Sequence, residues 1–443
     1  VASFLRLFRF PATLPRSLQW AAVFYLTHLI CQAWIASSEI ALAVVLLLVG
    51  YAVWQRQLRV SFHIVMYPLA VFALASTLSA FFSDRRLHAF GETATWLKFL
   101  LFPCALILFR EAPRVRELSM QAMLVFGAFI SAFGLFQYFG LHQRDLEHRI
   151  TGPAAHVMTF SGLVLPVALV FLVLALYKRS WWLIGGTLLT TVALLMTFTR
   201  SVWIGWLLAV LTLLIVKRSR WIFYAAPLLL IFISVMPLSL FGRLISTFDT
   251  KQESNLDRIR MVQAGVEIIK DYPLFGVGPA NVKEVYPLYR KPDAPRFRIP
   301  HLHDNVVQIW AERGVVALVA YLALLGLFVR SCAQAWRGPR KMYAEIGIVT
   351  VVSLTAAGLF EFNFGDTEVQ LLMLDIFALV LASMEPVAAD ARYRQAGEGG
   401  SAVNEPESPR VRNGHTVGAL QRASVVPVEM AASARHAAIA ATP

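Results

Sequence analysis

The chain has 443 residues, of which 58% are hydrophobic and only 15% charged, and its mean hydropathy is +0.62. A soluble globular chain carries roughly 25% charge, so a water-soluble domain is excluded and an all-α polytopic membrane protein is expected. The net charge of +13 suggests nucleic acid at first sight, but basic residues in a membrane chain first report topology, and no nucleic-acid partner is expected.

No cleavable signal peptide is evident, because no small-residue cleavage site follows the first apolar segment. Windows apolar enough to cross a ~30 Å hydrocarbon core occur near 18–36, 39–54, 62–82, 93–109, 118–139 and 157–176. They recur near 181–198, 201–216, 221–237, 306–329, 345–363 and 367–384. That predicts about twelve spans, several of them short, with the 181–216 pair divided only by Thr199-Arg200.

Loop charge tests the count. With the N-terminus inside, the N-tail and short inner loops hold 17 Lys/Arg: Arg6, Arg9, Arg16, Arg56, Arg59, Arg110, Arg114, Arg116, Lys178, Arg179, Lys217, Arg218, Arg220, Arg330, Arg337, Arg340 and Lys341. The short outer loops hold five: Arg85, Arg86, Arg144, Arg149 and Arg200. This asymmetry obeys the positive-inside rule, and moving the count by one span would destroy it. Both termini are therefore expected in the cytoplasm. Residues 1–237 then form spans one to nine, 238–305 an outer loop (periplasmic in a bacterial inner membrane), and 306–384 the last three spans. The loop should carry an amphipathic helix with Ile259, Val262, Val266 and Ile269 on one face. The tail 385–443 is rich in Ala, Arg, Pro and Ser and is expected to be disordered. Cys31, Cys104 and Cys332 lie in or beside apolar segments without metal-ligand spacing and are expected only to pack.

The chemistry concentrates on the outer face. Arg200 stands alone between two apolar spans on the side where arginine is disfavoured, so an ionisable role is expected. Arg258 and Arg260 open the loop helix, where arginine ordinarily faces solvent. The run Leu274-Phe275-Gly276-Val277-Gly278 reads as a turn, because a Gly-x-Gly without a flanking strand is a weak phosphate-loop signal. His301-Leu302-His303-Asp304-Asn305 puts two imidazoles, a carboxylate and an amide where the loop re-enters lipid. Imidazole titrates near neutral pH and suits proton removal from a hydroxyl. Asp304 is the candidate to orient the His303 ring, with His301 and Asn305 in support. Arg85, Arg86 and Lys98 are candidates for lipid phosphates or for interfacial anchoring. His28, His63, Glu345, Glu361 and Asp375 are expected to pair internally or sit near an interface, Asp375 being the most costly because it lies near mid-span.

Taken in order, Thr199-Arg200-Ser201 at a span end, Arg258 fifteen residues before Pro273-Leu-Phe-Gly-Val-Gly278, and His301-x-His303-x-Asn305 before Gln308 and Glu312-Arg313-Gly314 resemble the O-antigen ligase/polymerase superfamily. The resemblance covers roughly 180–330 plus the twelve-span layout, and the two histidines with one long outer loop look most like its ligase branch. It implies a GT-C-type membrane glycosyltransferase. The implied donor is a glycan on undecaprenyl diphosphate, and the acceptor is a lipid A–core sugar. By this resemblance His303 is the general base and Arg200 and Arg258 bind the donor diphosphate, since guanidinium forks match phosphate oxygens. With no Asp-x-Asp pair on the outer face and a good leaving group, no metal and no cofactor are expected. A glycan polymerase or a protein O-oligosaccharyltransferase of the same superfamily is the alternative. A transporter is the distant one, since transport sites lie near the midplane, often at inverted repeats, and no convincing repeat is found.

Overall fold

A computed structural model describes residues 5, 8, 10, 14–58, 62–143, 145, 148–218, 242, 246, 249 and 251–385. The expected ninth span (221–237) and the tail beyond residue 385 lie outside the described residues.

Every described element is helical. The helices are α1 (Arg16–Ile30), α2 (Ile35–Trp54), α3 (Met66–Phe82), α4 (Arg86–Thr93), α5 (Leu101–Glu111), α6 (Pro113–Phe139) and α7 (Val157–Lys178). Then come α8 (Trp181–Met196), α9 (Arg200–Val216), α10 (Glu253–Asp271), α11 (Val282–Tyr289), α12 (Asn305–Ala335), α13 (Lys341–Ala357) and α14 (Thr367–Met384). A 3-10 segment, Ala94–Leu100, joins α4 to α5. Among the described residues, six stretches are long and apolar enough to cross a membrane: α2, the run Arg86–Glu111, α6, α7, α12 and α14. The protein is thus a polytopic membrane protein. Helices α3, α8 and α9 are apolar but shorter. Each predicted span within the described residues falls on a helix.

The bundle is centred on α7 and α14, which are buried along most of their length. Glycine allows the close approaches: a Cβ on Gly162 of α7 would lie 2.6 Å from Val369 of α14. Phe328 and Phe377 stack with ring centroids 3.6 Å apart. Two buried carboxylates in the bundle are met by clusters of partners. Tyr25 donates to Asp375 at 2.6 Å, Gln32 donates to its other oxygen at 2.6 Å, and His28 lies 3.2 Å from it. That network ties α1 and the turn after it to α14, and it repays burial of the Asp375 carboxylate. Glu345, fully buried, pairs with Lys217 at 2.7 Å and accepts from Tyr177 at 2.9 Å.

The helix ends sort into two groups. At one end, Arg110 pairs with Glu385, Arg116 donates to the Ala382 carbonyl and Arg340 donates to the Met384 carbonyl. These cations neutralise the C-terminal carbonyls of α14. At the other end lie the starts of α7, α9, α12 and α14, with Asp304 capping α12 through Val307 N–H at 2.8 Å and Asp366 capping α14.

The Leu274–Gly278 turn has a structural partner. Helix α12 breaks at Gly314 (φ 77°, ψ 176°), a backbone region open essentially only to glycine. The freed Ala311 and Glu312 carbonyls accept from Val277 and Gly278 N–H at 2.9 Å each, and the Pro273 carbonyl accepts from Val315 N–H at 3.1 Å. A Cβ at Gly314 would lie 1.9 Å from the Leu274 carbonyl oxygen. The loop is therefore stitched into a broken helix.

One expectation is corrected. The buried face of α10 carries Asp257, Met261, Ala264, Gly265 and Ile268, whereas Ile259 and Val266 are exposed. Small residues decide this face: a Cβ on Gly265 would come 2.4 Å from Val307 of α12, so the helices meet where the side chain is missing.

Candidate active site

His303 sits at the hinge between loop and span. Its φ of 53° is left-handed, uncommon for a non-glycine residue. The extended Asp304 follows (φ −152°, ψ 124°), and α12 begins at Asn305. This bend turns the imidazole toward the segment joining α13 to α14. There His303 Nδ1 lies 2.9 and 3.0 Å from the two oxygens of Glu361, so Nδ1–H donates to the carboxylate. Nε2 is buried and has no hydrogen-bond partner among the described residues. A carboxylate on one ring nitrogen fixes the tautomer and leaves the other lone pair as the proton acceptor.

The orienting carboxylate is Glu361, which sequence reasoning placed only as an internally paired or interfacial group. Asp304, the expected orienter, is engaged in capping α12. Helix α13 stops at Ala357, so Glu361 belongs to a polar turn, Glu361-Phe-Asn-Phe-Gly-Asp366, rather than to the span that the hydropathy window gave it. Asn305 binds this turn to α12. Its amide donates to Asn363 at 2.7 Å, its oxygen accepts from Phe364 N–H at 3.1 Å, and its own N–H donates to the Gly358 carbonyl at 2.7 Å. Gln308 accepts from Leu302 N–H at 2.7 Å and braces the His-x-His backbone. These motif amides thus set the Glu361–His303 geometry.

Burial works to raise the Glu361 carboxyl, but the His303 hydrogen bond and the electrostatic pull of His303, His301 and Arg258 override it and hold it below the usual carboxylate range. His301 lies beside His303 with ring centroids 4.3 Å apart and the ring planes tilted by 58°. Burial first, then the neighbouring His303, lowers the His301 imidazole to about 4, so it is neutral at pH 7. Its Nε2 lies 3.6 Å from Glu361. Sequence reasoning sought a metal set as a carboxylate pair and found none; His301, His303 and Glu361 nevertheless bring three donor atoms within 4.8 Å of one another.

Two cavities, each about 590 Å³, meet at His303. The first is arginine-rich, lined by Arg149, Arg258 and Arg296 with Ser254 and the carboxylates Glu253 and Asp257. The second is lined by Glu92, Glu312, Arg313, Asp366 and Gln370 over an aromatic floor of Phe72, Phe99, Phe362 and Phe364. His156, Met158, Arg296 and His303 line both.

The arginines are not equivalent. Arg258 makes no hydrogen bond among the described residues, and burial, against the pull of Glu361, lowers its pKa. Arg149 is likewise lowered by burial and then by Arg258, and its Nη1 is buried without a partner. Arg296 is paired with Asp257 at 2.5 Å. Partly buried guanidinium groups without a hydrogen-bonded counter-charge are costly. Arg200 is 6% exposed and lines neither cavity. It donates to the Ser246 carbonyl (2.9 Å), Gln252 (3.1 Å), Ser254 (3.0 Å) and Asn255 (2.6 Å). Its fork holds the segment that launches α10, the helix carrying Arg258.

The other expected contacts lie apart from His303. Arg260 pairs with Asp293, Arg85 with Glu284 at 3.1 Å, and Arg86 stands 5.6 Å over the Phe81 ring. Lys98 pairs with Glu39 at 2.7 Å and donates to Thr367 at 2.9 Å. Sequence reasoning missed Arg149, Arg296 and Glu361 as site residues. Arg149 had one signal, as an arginine in an outer loop, whereas the role of Glu361 emerges only from contact.

Residues 185–322 match a protein-family model described as O-antigen ligase. The matched stretch contains Arg200, Arg258 and His301–Asn305 but neither Arg149 nor Glu361. No curated protein matches the chain.

Proposed function

We propose, from the match of residues 185–322 to the O-antigen ligase family model, that the protein transfers O-antigen polysaccharide from undecaprenyl diphosphate to a sugar hydroxyl of lipid A–core. The observation that carries the reading is His303 at the junction of an arginine-rich cavity and a carboxylate-lined one, with Nδ1 on Glu361 and Nε2 unpartnered. The arginine-rich cavity takes the donor diphosphate and the other takes the acceptor sugar. Aromatic faces and carboxylates suit a sugar, which offers both apolar ring surface and hydroxyl donors.

In this mechanism the acceptor hydroxyl gives its proton to His303 Nε2 as its oxygen attacks the anomeric carbon. The bond from that carbon to the diphosphate oxygen breaks, and its electron pair leaves with the lipid diphosphate. Glu361 stabilises the imidazolium that forms. Arg258 and Arg149 stabilise the growing charge on the leaving group, and Arg200 acts through α10 by holding Arg258 in place. A single displacement inverts the anomeric centre. The base supplies typically 10²–10⁴ in rate, and arginines rather than a metal carry the leaving-group charge. The fold reading is a GT-C-type enzyme of the bacterial inner membrane, with its site on the periplasmic face and both termini cytoplasmic. That sidedness is supported by the loop-charge asymmetry, and the site sits at the helix ends opposite the Arg110, Arg116 and Arg340 cluster.

The test is reconstitution with purified lipid-linked glycan and lipid A–core. Wild type should ligate in excess EDTA at close to its untreated rate, and His303→Ala should abolish transfer while donor binding stays nearly intact, because a base acts mainly in the transition state. Transfer that needs added Mg²⁺ or Mn²⁺, or a full product ladder from His303→Ala, would overturn the mechanism. Glycan extension without lipid A–core would point to the polymerase instead.

A further inference from the structure

We propose that His301, His303 and Glu361 form a site for a zinc-class transition-metal ion, and that filling it switches the enzyme off. The inhibitory half rests on the reading of His303 as the base; the binding half stands on geometry.

The three donor atoms lie within 4.8 Å of one another. His303 Nδ1 is 2.9 Å and His301 Nε2 is 3.6 Å from oxygens of Glu361. Zinc–ligand bonds of ~2.0–2.2 Å put the ligand atoms of a tetrahedral ion about 3.3–3.5 Å apart. Both measured spacings are within about half an ångström of that range, and closing the third needs only a swing of the His301 ring. The donors are already held: Glu361 accepts from Phe362 N–H at 3.2 Å, and His303 is fixed by the bend into α12. The site opens onto the acceptor cavity, which leaves a fourth position for water and a path for entry.

The ligand set selects the metal. Two imidazoles and one carboxylate suit zinc and its neighbours, whereas Mg²⁺ and Ca²⁺ favour all-oxygen shells. Arg258 and Arg296 act electrostatically on this same cluster and oppose a dication. With a fourth position left open, the site is of the reversible kind rather than a closed structural one.

Inhibition follows from the tautomer. The metal takes the Nδ1 lone pair of His303, the atom whose N–H now donates to Glu361. A neutral ring ligated through Nδ1 keeps its one proton on Nε2. The nitrogen facing the reaction then becomes a donor and can accept no proton from a hydroxyl. Glu361 is diverted at the same time.

The experiment uses the full chain in nanodiscs, stripped of metal and titrated with ZnCl₂ by calorimetry, with Co²⁺ absorption reporting coordination. Wild type should take up one equivalent. His301→Ala, His301→Gln and Glu361→Gln should each bind at least about tenfold more weakly. His148→Ala, which removes an exposed imidazole beside Asp145, should bind like wild type. In the ligation assay Zn²⁺ should inhibit over the concentrations that fill the site, EDTA should restore the rate, and Mg²⁺ at the same level should do nothing. Uptake unchanged in both His301 variants overturns the site. A filled site with undiminished ligation overturns the switch. A chain with no ligase activity under any condition would sink the functional reading, while calorimetry still decides the metal site.

Discussion

Replacing Glu361 by glutamine removes one charge and almost no volume, so it isolates what the carboxylate contributes to His303. In the ground state the loss is small, because a glutamine oxygen can still accept from Nδ1–H. In the transition state the imidazole becomes a cation beside a carboxylate whose oxygens lie 2.9 and 3.0 Å away. Two unit charges about 4 Å apart, taken between charge centres, attract by about 4 kcal/mol at an effective dielectric of about 20. The site faces a cavity that water enters, so roughly half of that is a reasonable lower bound. Between about 2 and 4 kcal/mol of lost transition-state stabilisation corresponds to a fall of about 30- to 1000-fold in turnover. The assay is single-turnover ligation at saturating donor, with donor affinity measured separately by equilibrium binding. Turnover should fall within that range with donor affinity changed by less than about threefold, an interaction made in the transition state alone. Turnover within a factor of about three of wild type would refute the argument, since no oriented imidazole acting as a base could lose its counter-charge so cheaply. A parallel loss of donor affinity would assign Glu361 to the donor instead.

Arg258→Ala should weaken donor binding and turnover together without altering protease sensitivity of the loop. Arg200→Lys should lose most activity and also expose residues 246–255 to proteolysis, because lysine cannot span the four residues the guanidinium now joins; unchanged proteolysis would return Arg200 to direct phosphate contact. Gly314→Ala should cost at least about 1–3 kcal/mol from backbone strain, plus the clash with Leu274, read as a lower melting temperature in detergent. His301 is held near 4, below its unfolded value, so the unfolded chain binds more protons between about pH 6.5 and 4, and stability falls as pH drops through that window; His301→Gln should flatten the melting-temperature slope between pH 7 and 5. Cysteines at Lys251 and Ser401 in a cysteine-free background should label with an impermeant reagent on spheroplasts at 251 only, and the reverse pattern would invert the topology.

The helices were legible because lipid imposes a single rule, that roughly 20 apolar residues must run together; the predicted spans within the described residues fall on helices, six of them long and apolar enough to cross, while the 345–363 window overran its helix into the Glu361 turn. The site was legible where chemistry is local in sequence. The His301–Asn305 run stands out by charge in an apolar chain, whereas Arg258 in the loop helix was singled out only by the family resemblance. What could not be read was contact across the fold. Glu361 reaches His303 across 58 positions, and nothing near Glu361 in sequence marks it as the partner. The failed α10 face has a related cause: periodicity finds the most apolar stripe, but helices pack where backbones can approach, and Gly265 decided that.

The same long-range logic explains why a mobile chemistry needs so rigid a mount. On the proposed mechanism His303 is useful only if Nδ1 stays on Glu361 while a bulky glycan passes on either side, and several anchors of that pair are backbone or amide contacts rather than charges. Asn305 locks the Glu361 turn to α12, Gln308 holds the Leu302 N–H, and the Gly314 break is closed by three backbone bonds from 273–278 and to Val315. Neutral contacts are insensitive to the arrival and departure of a diphosphate charge. The arginine-lined cavity is different: Arg258 and Arg149 make no hydrogen bond to a carboxylate there, and burial outweighs the pull of Glu361 and Asp257 on Arg258, so an entering anion would relieve part of their electrostatic cost. A frame of amides around an unrelieved pair of guanidiniums lets donor binding change the energy of the cavity without moving the base.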